Sequence, residues 1–103
     1  QQVTFGFKNL HLAGVSAGSG VHLAVQASQA GLIVISTQVN IGADVTVTIR
    51  DLNGGSTPLP STIPAGVAGS PFLAAAEAGH FYDILITSSS PDEVFVSGTI
   101  SWP

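Results

Sequence analysis

The sequence predicts an all-β chain folded as a single antiparallel β-sandwich of seven or eight strands, with jelly-roll order favoured over an immunoglobulin-like one. Three observations predict it. Apolar residues recur at every second position through most of the 103 residues, the period of a strand with one buried face. Clusters of Gly, Pro, Asn, Asp and Ser break that pattern at short intervals. No segment sustains a helical period long enough to stand alone. True immunoglobulin domains carry a cysteine pair and a central tryptophan. This chain has no cysteine, and its one tryptophan is Trp102.

The elements follow in order. Val3, Phe5 and Phe7 alternate with Thr4, Gly6 and Lys8, after which Leu10 and Leu12 take the opposite parity. A parity switch at Lys8-Asn9 predicts a β-bulge or bend. Residues 13–20 (AGVSAGSG) form a loop, and Val21, Leu23, Val25 and Ala27 mark a second strand. Leu32 to Ile35 is continuously apolar and runs into the alternation of Thr37, Val39 and Ile41. That strand is expected to start buried on both faces and to end half solvated. After a turn at residues 42–44, Val45, Val47 and Ile49 face one way and Thr46, Thr48 and Arg50 the other. Asp51 to Gly55 closes this strand with residues that tolerate positive φ.

Residues 52–71 form a long Pro-rich loop; four of the six prolines fall between residues 56 and 71. Proline cannot donate to a sheet ladder, so the loop holds at most one short edge strand. Phe72 to Ala76 reads as a strand or as one helical turn, ended by Gly79. Phe81 to Thr87 is a strand, SSSPD a turn, and Val94, Val96, Gly98, Ile100 and Trp102 share one face of the last strand. The whole of residues 1–103 makes one domain.

Only eight residues are charged: Lys8, Arg50, Asp44, Asp51, Glu77, Asp83, Asp92 and Glu93. Globular domains carry about 25%. The surface is therefore built from Ser, Thr, Gly, Gln, Asn and apolar area, with little like-charge repulsion between molecules. Two cations cannot neutralise a run of phosphates, which excludes nucleic acid and disfavours an anionic membrane surface. No uninterrupted apolar stretch of about 18 residues is present, so membrane insertion is not expected. A hydrophobic content of 45% excludes the disordered class. Without cysteine there are no disulfides and no thiolate metal sites. A start at Gln1 rather than Met is expected of a chain whose leader has been removed, which points to an extracellular or cell-surface protein.

Catalytic chemistry is sparse. Gly14-Val15-Ser16-Ala17-Gly18 matches the G-x-S-x-G nucleophile elbow, but that elbow needs a strand-to-helix turn on a parallel sheet. His11 and His22, with Asp83, are the candidate ligands for zinc or copper, yet neither H-x-H nor H-E-x-x-H occurs. Asp44 and Asp51 lie at opposite ends of one strand, too far apart for the joint work of a glycosidase pair. Asp92 and Glu93 lack the repeated D-x-D of a calcium loop. The reading is a non-enzyme with no catalytic residues, no metal and no cofactor.

Two functions remain. The first is a structural subunit that assembles with copies of itself into a fibre or closed oligomer. Residues 1–7 would add as a connecting strand to a neighbour's sheet edge, with Val3, Phe5, Phe7 and Trp102 as contacts. The strand Leu32 to Val39, poor in charge, would be hazardous on an open edge and adds to this case. The second is a carbohydrate-binding module or lectin, using His80, Tyr82 and Trp102 against a glycan.

The stretches VTVTIRDLNGGSTPLP, FLAAAEAGHFYDILITSSS and EVFVSGTISWP carry a family likeness. Over residues 32–103 their strand and turn rhythm resembles the self-assembling jelly-roll subunits of bacterial spore appendages. The resemblance implies a fibre in which an N-terminal connector joins successive subunits. Those fibres are cross-linked by disulfides, which a chain without cysteine cannot form.

Overall fold

A computed structural model describes residues 2–12, 20–41, 44–54, 61–63, 71–88 and 94–103. Among them are eight strands: β1 (Val3–Leu12), β2 (Gly20–Gln26), β3 (Gly31–Ile41), β4 (Val45–Asp51), β5 (Ser61–Ile63), β6 (Phe72–Ala76), β7 (Phe81–Thr87) and β8 (Val94–Trp102). They form two four-stranded antiparallel sheets of order β1-β8-β3-β6 and β2-β7-β4-β5. Successive strands alternate between sheets until β4-β5, and the last strand returns beside the first. This is the jelly-roll order expected from the sequence. No helix long and apolar enough to cross a membrane occurs among the described residues.

Alternation builds the core. Ile33, Ile35 and Val39 of β3, Val94, Val96 and Ile100 of β8, Val45, Val47 and Ile49 of β4, and Tyr82, Ile84 and Ile86 of β7 are all buried. Each such side chain stabilises the fold by about 1.5–3 kcal/mol relative to exposure. The parity switch in β1 is a bulge: the register against β8 shifts between Phe7 and Leu10. Asn9 takes φ 50° there, and its N–H donates to Ser97 Oγ at 2.9 Å. Asparagine is among the few side chains that accept this left-handed backbone.

Several sequence expectations resolve here. Phe72–Ala76 is a strand rather than a helical turn, because it pairs with Gly31–Ile35. The Pro-rich loop yields one short edge strand, β5, paired to β4; residues 55–60 and 64–70 lie outside the described residues. The strand from Leu32 to Val39 is not wholly on an edge: β8 runs along one side from Val34 onward, and β6 covers Leu32–Ile35 on the other. The leading strand is paired within its own sheet, Val3 opposite Trp102 and Phe7 opposite Gly98, and stands at the end of that sheet's strand order among the described residues. It is therefore not a free arm here. Gly14–Gly18, Asp92 and Glu93 lie outside the described residues.

Candidate functional site

The two sheets differ in chemistry on their outer faces. That of β1-β8-β3-β6 presents Thr4, Gly6, Ser97, Thr99, Ser101, Ser36 and Gln38, together with Leu32, Val34 and Leu73; its one charged residue among those described is Lys8, in the β1 bulge. Every ion pair between described residues belongs instead to the β2-β7-β4-β5 sheet or to its margin.

On that sheet the pairing of β4 with β7 sets Arg50 directly opposite Asp83, and Thr48 opposite Leu85. The pairing of β2 with β7 sets His22 opposite Leu85, one diagonal step from Asp83. Asp83 forms an ion pair with His22 Nε2 through one carboxylate oxygen and meets Arg50 Nη2 at 3.7 Å through the other. The carboxylate is largely covered, whereas His22 and Arg50 stand well into solvent. These five residues line an open groove of about 440 Å³. Exposed pairs of this kind stabilise a fold by about 0–1 kcal/mol. Such a cluster of charge in mid-strand adds little to stability but offers a ligand a carboxylate acceptor, a forked donor and a hydroxyl on one surface.

A second polar cluster sits at one end of the sandwich, where β4 ends and the β6–β7 turn begins. Asp51 takes the inward parity of β4, and its side chain is 2% exposed. The His80 ring lies 3.0 Å from Asp51 Oδ2 and 3.6 Å from Glu77 Oε2 through Nδ1. Asn53 N–H donates to Asp51 Oδ1 at 2.8 Å, and Phe81 N–H donates to Asn53 Oδ1 at 2.6 Å. The turn is held by Gly79 at φ 81°, whose N–H donates to the Ala27 carbonyl. The hydrogen bond to Asp51 raises the pKa of His80 above its ordinary value; burial opposes it, and the charges of Asp51 and Glu77 reinforce it. Burial raises the pKa of Tyr82, whose hydroxyl accepts from Glu77 N–H at 2.7 Å.

The residues singled out in the sequence fall in different places. Tyr82 is a core residue and presents no face to a glycan. Burial of its ring, forced by the parity it shares with Ile84 and Ile86, corrects the expectation that it stacks on sugar. His80 and Tyr82 stand ring against ring, with centroids 6.4 Å apart, whereas Trp102 packs against the core from the opposite sheet. Val3 and Phe5 are exposed, while Phe7 packs against the core and stacks on Phe5. His11 lies on β1, its ring stacked on Phe95, and His22 lies on the other sheet; the two imidazoles do not share a site. Of the candidate metal ligands the structure brings His22 and Asp83 together as an ion pair and leaves His11 apart; that Arg50 joins them, and the Asp51–His80 corner, are not apparent in the sequence. The signals for those are Arg50 and Asp83 on outward parities of their strands, and two turn sequences whose nearness depends on β4 and β7 being neighbours.

No known protein family matches the chain, and no sequence among curated proteins does. Two solved structures share its fold. They are exo-β-1,3-galactanase from Phanerochaete chrysosporium with galactose, at a TM-score of 0.52, 13% identity and coverage of 98% of this chain and 26% of that one, and a variant of the same enzyme with β-1,3-galactotriose, at a TM-score of 0.52, 13% identity and coverage of 99% and 27%. The chain thus spans about a quarter of the galactanase, and the likeness is one of β-sandwich fold.

Proposed function

We propose that this chain is a non-catalytic carbohydrate-binding module whose site is the outer face of the β2-β7-β4-β5 sheet. One observation carries the reading: the groove of about 440 Å³ that gathers His22, Thr48, Arg50, Asp83 and Leu85. Its size falls in the range of roughly 300–1,000 Å³ typical of small-ligand sites. Adjacent hydroxyls of a sugar ring both donate and accept. Asp83 and Arg50, opposed across two strands, provide charge-assisted partners for both roles. Leu85 gives the apolar ring face something to rest on. Asp83 is the groove's single carboxylate among the described residues, which favours binding over the paired-carboxylate chemistry of glycoside hydrolysis. The similar fold in structures holding galactose and β-1,3-galactotriose makes β-galactosides the first glycans to test.

The test is a glycan array followed by calorimetry on the hits. Arg50→Ala and Asp83→Asn should each weaken binding at least tenfold while the far-UV spectrum is unchanged. Absence of binding to every glycan, or binding indifferent to both substitutions, refutes the reading.

A second reading rests on the other sheet. Its outer face, Ser/Thr-rich and nearly free of charge among the described residues, and the place of β1 at the end of that sheet suit self-association of copies outside the cell. Light scattering should then show mass above the monomer that falls on Thr99→Lys. A monomer at all concentrations rules it out.

A further inference from the structure

We infer that Asp51, Glu77 and His80 form a binding site for a divalent first-row transition metal, with Zn²⁺ as the ion of choice. One ligand atom from each lies within 4.8 Å of the others. The two separations from His80 Nδ1 are 3.0 Å to Asp51 and 3.6 Å to Glu77. A tetrahedral zinc with ligands at about 2.0–2.2 Å places its donor atoms roughly 3.3–3.6 Å apart. The three groups therefore already stand close to the edges of a zinc tetrahedron, with a fourth position left for water. Glu77 is exposed and its side chain can close the remaining gap.

Burial makes the same case independently. Asp51 carries a carboxylate almost wholly removed from solvent, and such a charge is costly unless hydrogen-bonded and paired with a cation. In the metal-free chain, His80 Nδ1 and the Asn53 backbone N–H are among the groups that face it. A dication between them would be shared by all three ligands at once. An imidazole nitrogen among the donors selects transition metals over calcium and magnesium, which require oxygen. Two of the ligands are already anchored through the backbone. Asp51 is fixed at the end of β4, and His80 by the hydrogen bond from Ala27 N–H to its carbonyl. The bound ion would tie the end of β4 to the β6–β7 turn.

Calorimetry and thermal melts of the full chain with ZnCl₂ test this. One equivalent should bind and raise the melting temperature, whereas CaCl₂ and MgCl₂ at the same concentration should leave it unmoved. His80→Ala should abolish the effect. Glu77→Gln, on an exposed side chain, should move the metal-free melting temperature little and weaken zinc at least tenfold. Arg50→Ala, which tests the glycan groove, should bind zinc as the unchanged chain does. The inference fails if zinc gives no heat and no shift, if Glu77→Gln binds zinc undiminished, or if binding is lost on His22→Ala instead.

Discussion

Thr37 is buried in β3 with a hydroxyl oxygen that meets no hydrogen-bond partner among the described residues, so its desolvation is uncompensated. Thr37→Val keeps the shape and removes the orphaned polar atom. Urea denaturation should show it more stable by about 1 kcal/mol. His80 sets a pH dependence in the metal-free protein. Its pKa is raised in the folded state, chiefly by the hydrogen bond to Asp51. The resulting stability is fully present below the unfolded value near 6.5 and is lost as pH rises through the higher folded value. With a chelator present, the melting temperature should fall across that window, and His80→Gln should flatten the fall. A melting temperature that rises there would contradict the assignment. Neither residue advertises its role in the sequence. Thr37 sits on an inward parity like any half-buried threonine, and the partner of His80 lies 29 positions away.

At the scale of elements, most strands can be read from alternation alone because one face of each is buried. The bulge is legible too, since a parity switch has few other causes. Phe72–Ala76 is ambiguous because alanine fits a helix or a strand equally well; the pairing with β3 decides it. The leading strand resembles a donor to another molecule because its sequence is amphipathic and terminal. Strand order, invisible in one sequence, gives it β8 as a partner instead. The pairing of β8 with β3 depends on Gly98, where a Cβ would stand 2.1 Å from the Ser36 carbonyl oxygen. Backbone cannot yield as a side-chain tip can. Gly98→Ala should therefore destabilise by about 1–3 kcal/mol or more, measured by thermal or urea unfolding. Gly6→Ala is the control, since a Cβ there meets only ordinary contacts at 3.9 Å or beyond.

Across the whole molecule, the sandwich separates its surfaces by chemistry. Among the described residues, the ion pairs gather on and around β2-β7-β4-β5, and the opposite face is close to neutral. Composition announces the scarcity of charge but not its segregation, which depends on which strands share a sheet. The candidate groove is hidden for the same reason: Arg50 and Asp83 meet only because β4 lies beside β7.

Where β1 and β2 face each other at the margins of their sheets, the layers stand slightly apart. An apolar gap of about 180 Å³ remains there, lined by Phe5, Phe7, Leu10, Leu23, Ile84 and Ile86. Phe5 is 46% exposed at its mouth. This seam is where the molecule has least to lose by breathing. Amide protons of β1 and β2 should exchange ahead of those of β7 and β8, which lie inside their sheets, and pressurised xenon should lodge in the seam and slow that exchange. Uniform protection across all four strands would mean that the margin is sealed as firmly as the middle.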